Sequence, residues 1–231
     1  MLTFNNKILT VSNKGLEVEA GPTPPAPVPA LPFSTVQIGS KLWSAEDIKI
    51  DDNGTGITKT ELVSSKDSSI KYGEQYYYTA DAAARIAAAV AADYPGWHIP
   101  TEAEWTALIG NYTDDGTSAT AAAAMNVIAS IGTGTWYKMD NFWNLNGTVS
   151  VNNSTGFSAI PISAVGGSNE TAMVGMDCLW HCSDTSKFAW VWTGEGQASY
   201  TWGGPRSAVY GKADWAEYYG TTYALRLVKD A

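Results

Sequence analysis

The sequence is short of the residues that carry most enzymatic chemistry. It holds two histidines and two cysteines in 231 residues. No Ser-His-Asp order, phosphate-binding glycine loop or carboxylate pair can be argued from them and from scattered acids. A structural zinc site takes four ligands, and Cys178, His181 and Cys182 leave it one short. Two cysteines spaced by four can meet in a turn or remain separate thiols, so they leave the redox compartment open.

Basic charge is scarce as well. Lysine and arginine number 14 against 23 aspartates and glutamates, a formal net charge of -9. Such a chain repels phosphate backbones and contains no Lys/Arg cluster to offset the balance, which argues against nucleic acid as a partner. Long apolar runs are missing. The alanine stretch of residues 82–92 falls well below the roughly 20 residues that cross a bilayer, so no membrane insertion is expected. The start, Met1-Leu2-Thr3-Phe4-Asn5-Asn6-Lys7, lacks the basic region and apolar core of a secretory leader, so export by that route is not expected.

Tryptophan and tyrosine, by contrast, are plentiful: 10 and 12 residues respectively, within a chain that is 45% hydrophobic. Half of the tryptophans (180, 190, 192, 202 and 215) lie near the C-terminal end. Prolines cluster in Gly21–Pro32, a composition that favours polyproline II and a stiff spacer, or a ligand for proline-binding domains. Ahead of it, alternating apolar positions around Ser12-Asn13-Lys14-Gly15 read as a hairpin. A lone hairpin is marginal in water, so it should pair with another chain or dock on a larger body. The organisation is therefore an N-terminal hairpin or attachment segment (1–20), a proline-rich linker (21–32) and a main domain (33–231).

In the main domain, residues 36–43 read as strand, turn and strand, and residues 51–72 as a polar excursion. Asp51-Asp52-Asn53-Gly54 reads as a turn; the calcium alternative lacks the rest of an EF-hand loop. Thr79 caps a helix running to Ala92, with Ile86, Val90 and Tyr94 on one side. Thr101-Glu102-Ala103-Glu104 is a capping box opening a second helix with Trp105, Leu108 and Ile109 on its apolar face. Residues 120–131 read as a third, shorter helix. Short strands at 135–137, 156–162, 188–193 and 223–228 then alternate with Gly-, Asn- and Ser-rich breaks. The class is α+β, with two main helices and an irregular, β-rich C-terminal half.

Gly96-Trp97-His98-Ile99-Pro100-Thr101-Glu102-Ala103-Glu104-Trp105 resembles the GWHxPTxxEW segment of the Fibrobacter major paralogous domain. Val36-Gln37-Ile38-Gly39-Ser40-Lys41-Leu42-Trp43 is similar to that family's opening strand. Gly156–Pro161 resembles its GFSALP strand, Leu179–Ser183 its xWSS segment, and Ala224–Asp230 its closing SVRxVKD. The resemblance implies a C-type-lectin-like fold, which also carries formylglycine-generating enzymes and the variable proteins of diversity-generating retroelements. Function must then come from the site. The first eleven residues resemble the starts of gut-phage tail-associated proteins, which implies a virion (phage tail) location, with the bacterial cell surface as the alternative.

In retroelement variable proteins the variable positions precede the last strand, which here implies the zone from Trp180 to Tyr223. Its tyrosines and tryptophans stand among Gly, Ser, Thr and a few charges, a composition that suits recognition because these rings bring large contact area with few rotors. The expected ligand-binding residues are Trp180, His181, Asp184, Tyr200, Trp202, Arg206, Tyr210, Trp215, Tyr218 and Tyr219, while Trp190, Trp192 and Tyr223 hold the core and His98 is structural. No catalytic residue, metal or cofactor is expected, since lectin calcium motifs are missing. The leading expectation is a phage tail adhesin that binds a bacterial surface protein or glycan, meets other tail proteins and forms a homo-oligomer, with three copies hinted at. The alternatives are a structural or carbohydrate-binding surface module and, third, a copper oxidase of the formylglycine-generating type using Cys178 and Cys182.

Overall fold

The computed structural model describes residues 2–4, 7–12, 15–20, 30–63, 71–110, 153–159, 177–192, 206–212 and 221–231. The chain divides into two compact units, Met1–Ala30 and Leu31–Ala231.

The first unit is a three-stranded antiparallel sheet of β1 (Leu2–Phe4), β2 (Lys7–Ser12) and β3 (Gly15–Ala20), with β2 in the centre. The β2–β3 pairing closes at Ser12↔Gly15, where the turn signal stands. The structure adds β1 to the expected hairpin.

The second unit opens with β4 (Thr35–Ile38) and β5 (Lys41–Ser44), an antiparallel pair whose turn contains Gly39 at φ 61°, a conformation that disfavours other residues. The chain's last strand, β11 (Val228–Asp230), pairs with β5, so the two ends of this unit share one sheet of order β11-β5-β4. The polar excursion contains more order than its composition suggests. β6 (Ile57–Val63) pairs along its length with β7 (Lys71–Tyr78).

Helix α1 (Ala80–Asp93) starts where Thr79 accepts a hydrogen bond from the Ala82 backbone, and it buries Ala82, Ala83, Ile86, Ala87 and Val90. Helix α2 (Glu102–Ile109) begins with the complete capping box between Thr101 and Glu104, and buries Trp105, Leu108 and Ile109. A third sheet, order β10-β9-β8, is built from β8 (Asp177–His181), β9 (Lys187–Trp192) and β10 (Arg206–Gly211). Two helices with antiparallel sheets make the unit α+β.

Two strand expectations change. Of the expected strand 156–162, residues 156–159 hold a bend at Gly156 and a single bridge at Ala159, with Ser158 at φ 56°, and residues 160–162 lie outside the described residues. Residues 223–227 make bridges from Tyr223 to Tyr78 and from Ala224 to Trp180, and the regular strand starts only at Val228. The expected helix at 120–131 and strand at 135–137 lie outside the described residues.

Three apolar clusters fill the unit. One gathers Trp43, Trp105, Phe157, Trp180 and Val191; a second gathers α1 with Ile48, Tyr78, Trp97, Leu225 and Leu227; a third joins Leu179, Phe188, Trp190 and Tyr223. Successive residues of a strand face opposite sides. Cys178 and Trp180 on β8, with Ala189 and Val191 on β9, therefore enter the first cluster, while Leu179, Phe188 and Trp190 enter the third. This pair of strands is covered on both faces.

Candidate functional site

That double covering corrects two expectations. Trp180 is 0% and His181 2% exposed, so neither faces a ligand. The Trp180 ring stacks on Trp105 with centroids 5.3 Å apart, and its Nε1 donates to Asp47 Oδ1 at 2.8 Å. His181 Nε2 donates to the Tyr78 carbonyl at 2.6 Å, and burial holds its imidazole down at about 4, neutral in ordinary buffers. Both side chains are structural. Trp190 and Tyr223 are buried as expected. The alternation of Cys178, Trp180 and Cys182 was a signal for an inward face, but the neighbouring aromatics masked it.

Of the remaining expected residues, the described ones, Asp184, Arg206 and Tyr210, divide between the two ends of the β10-β9-β8 sheet. At one end, Asp177, Trp192 and Arg206 occupy neighbouring register positions, since Asp177 and Arg206 both pair with Trp192. This end brackets residues 193–205, where Tyr200 and Trp202 lie outside the described residues. At the opposite end, Gly211 pairs with Lys187 and Tyr210 with Phe188. Six residues of β9 separate the ends, about 17 Å.

The second end is the better defined. Asp184 is exposed in the β8–β9 turn; its carboxylate accepts from Ser186 Oγ and N, which hold its pKa below the usual value. Tyr210 is half-buried, with its ring 5.4 Å from Trp190 and 6.2 Å from Phe188. Lys212 was not among the expected ligand-binding residues. Its ammonium stands 5.0 Å from the Tyr223 ring centroid, and burial lowers its pKa. Lys212 also marks where residues 213–220 begin; Trp215, Tyr218 and Tyr219 within them lie outside the described residues. The two brackets thus sit at opposite sheet ends, where the sequence suggested one continuous surface.

A second feature sits beside α2. A groove of about 380 Å³ is lined by Ile38, Lys41, Trp43, Ala103, Glu104 and Leu108. Lys41 Nζ bridges Glu104 Oε1 at 2.8 Å and Asp230 Oδ1 at 2.7 Å, and these bonds, from Asp230 first and then Glu104, raise its pKa to about 12. Burial alone would raise the Glu104 carboxyl, yet bonds from Lys41, Thr101 and His98 hold it down at about 2. His98 Nδ1 donates to the Gly96 carbonyl at 2.9 Å, and its Nε2 lies 3.1 Å from both Glu104 oxygens. His98 therefore ties the helix entry together, as the motif implied.

The cysteine geometry opposes a shared metal. Cys178 and Cys182 are both buried and not joined in a disulfide. Four residues of extended chain place their Cα atoms roughly 13 Å apart, beyond the 4.4–6.8 Å of a disulfide and too far for two thiolates to meet one ion. Burial also raises the Cys182 pKa, keeping the thiol protonated. Among the described residues no group of three or more His, Cys, Asp or Glu could hold a metal ion.

No curated protein and no solved structure matches the chain. The model of one family, the Fibrobacter succinogenes major domain, matches residues 36–229. That span runs from β4 to β11 and takes in the capping box at Thr101, the Trp180 strand and Arg226, so the chain belongs to the Fibrobacter succinogenes major domain family.

Proposed function

We propose that the protein is a ligand-binding adhesin with a C-type-lectin-like domain, diversified by a retroelement and carried on a phage tail, where it recognises a bacterial surface protein or glycan. The observation that carries this reading is the contrast between frame and brackets. The frame is closed by a buried network: Arg226 to Asp47, and Asp47 to Trp180 and Gln75. The strand ends at Trp192 and Arg206 are paired, so they anchor both ends of the segment with Tyr200 and Trp202 on a fixed sheet. Recognition surfaces are commonly built this way, with variable segments held by a rigid scaffold. The pairing of β11 with β5, which brings the two ends of the unit into one sheet, supports the C-type-lectin-like reading. The chain binds rather than catalyses; the cysteine spacing speaks against the copper-oxidase alternative.

The test is the DNA beside the gene. A near-duplicate of the codons for residues 193–205 or 213–220, differing mainly at adenines and lying near a reverse transcriptase gene, is the expected result. Substitutions should spare the codons for Trp180, His181, Trp190 and Tyr223, which the core requires. Absence of such a duplicate would overturn diversification.

A further inference from the structure

We infer that the free edge of β4, with the groove beside α2, is a docking site for an extended segment of a partner polypeptide. The segment adds to the sheet as a strand and sets an apolar residue, flanked by lysine or arginine, over the groove.

The ladder of β4 with β5 runs without a register shift from Thr35↔Ser44 to Ile38↔Lys41. Ser34 O accepts from Ala45 N at 2.9 Å, whereas Ser44 N turns away from Thr35 and donates to Leu227 O. Bonded and non-bonded pairs alternate along an antiparallel ladder, so Thr35 and Gln37 point their N–H and C=O groups away from β5. Both residues are exposed, and no described residue supplies a hydrogen bond to those groups. The opposite edge of the same sheet is occupied. There Val228 on β11 exchanges both backbone bonds with His98, at 2.9 and 3.0 Å. β4 also lacks the charge or proline that guards an open edge, and with 4 residues it can pair only a short segment.

The groove supplies side-chain selection. Val36 and Ile38 pack toward the core, and a residue of an added strand directly opposite Ile38 faces the same way. It then stands over the groove of about 380 Å³ that Ile38 shares with Trp43 and Leu108. That volume lies within the roughly 300–1,000 Å³ of ligand sites. Ala103 and Ala107, exposed and one turn apart on α2, keep the other wall low. Gly39 leaves the hairpin turn open, since a Cβ there would meet nothing within 4 Å.

Charge says what flanks the apolar residue. Lys41 bridges Glu104 and Asp230, so with His98 counted neutral this rim holds two carboxylates against one ammonium. The whole chain has the same sign, at -9. A partner lysine or arginine two positions from the apolar residue shares its facing and meets that excess negative charge. Main-chain bonds supply affinity in strand addition, and alternate side chains supply specificity. The site shares no residue with 193–205 or 213–220, so it stands independently of the adhesin reading.

The probe is a fluorescein-labelled peptide, Thr-Lys-Thr-Leu-Thr-Lys-Thr, titrated against the full chain and read by polarisation. Saturable binding with a dissociation constant below about 1 mM is expected. It should weaken at least about tenfold when both lysines become glutamates, and when the nitrogens of the two threonines beside leucine are methylated. Gln37→Pro removes one outward N–H and leaves the bonds to β5, and Ala107→Trp fills the groove. Each should also lower affinity at least about tenfold while leaving the melting temperature near that of the wild type. Absence of saturable binding, or binding that both variants and both altered peptides leave unchanged, would overturn the inference. A wild-type mass above 24.6 kDa that Gln37→Pro returns to a single copy would assign the edge to a second copy of this chain, and would overturn it as well.

Discussion

Arg226 Nε lies 2.5 Å from Asp47 Oδ1, and the two side chains are only 0% and 3% exposed. Asp47 also accepts from Trp180 Nε1 at 2.8 Å and Gln75 Nε2 at 3.0 Å. The guanidinium donates three further bonds, to the carbonyls of Ser44, Phe157 and Ser158. One buried pair thus ties together segments that are far apart in sequence.

Removing one partner should cost far more than removing both. Asp47→Ala leaves a buried guanidinium unpaired and orphans the Trp180 Nε1–H donor, and should lower unfolding free energy by about 3–5 kcal/mol. The double variant Asp47→Leu/Arg226→Met should be less destabilised than Asp47→Ala. Urea denaturation of the set measures both, and equal losses would show that the pairing is not what matters.

Acid should weaken the fold in two successive windows. His181 in the folded protein titrates at about 4, below the ordinary 6.5, so the unfolded chain takes up a proton first and stability falls as pH drops from about 6.5 to 4. Glu104 is held at about 2 against an ordinary 4.5, so its stabilisation is present above about 4.5 and is lost as pH falls toward 2. Replacing His181 with Gln, which can still donate to Tyr78, should flatten the upper window by up to about 1.4 kcal/mol per pH unit. Replacing Glu104 with Gln should flatten only the lower one. Melting temperatures across this pH range provide the check.

The helix entry at Thr101 can be examined alone. Thr101→Ala removes the acceptor for the Glu104 backbone N–H and should cost about 1 kcal/mol, whereas Thr101→Ser should be nearly neutral. Thermal denaturation separates the two.

The thiols should be inert in the folded state. Both cysteines are buried, so a thiol reagent should label them only after unfolding. Copper titration should show no difference between the wild type and Cys182→Ser. Cysteine-dependent copper binding would revive the oxidase reading.

Ligand binding and stability should separate by position. On the proposed function, Tyr200→Ala, Trp202→Ala and Arg206→Ala should weaken binding to bacteria that carry the target severalfold or more while leaving the melting temperature within a few degrees. Trp180→Ala should instead destabilise the fold by about 3–5 kcal/mol, because its ring fills the space against Trp105 and Phe157. Cell pull-downs run beside melting curves distinguish them.

Legibility followed locality. Thr79, Thr101 and Glu104 were readable because a cap acts within three residues of itself, and the structure shows those bonds. β6 was missed because Thr58, Lys59, Thr60 and Glu61 are all exposed and show no apolar alternation. Residues 223–228 are all buried, so their alternation of aromatic and aliphatic types did not report a half-exposed strand. Among the aromatics, the sequence separated Trp190 and Tyr223 correctly from the surface but misplaced Trp180.

By itself the sequence determined the α+β class, the two helices with their starts, the family motifs, and an acidic composition. These depend on neighbouring residues or on sums over the chain. Only the tertiary structure decided that Trp180 and His181 belong to the core, that Arg226 answers Asp47, and that the sheet separates Arg206 from Tyr210. Composition cannot tell an aromatic side chain that meets another aromatic from one that meets water. The pairing of strands far apart in the chain settles which neighbour it has.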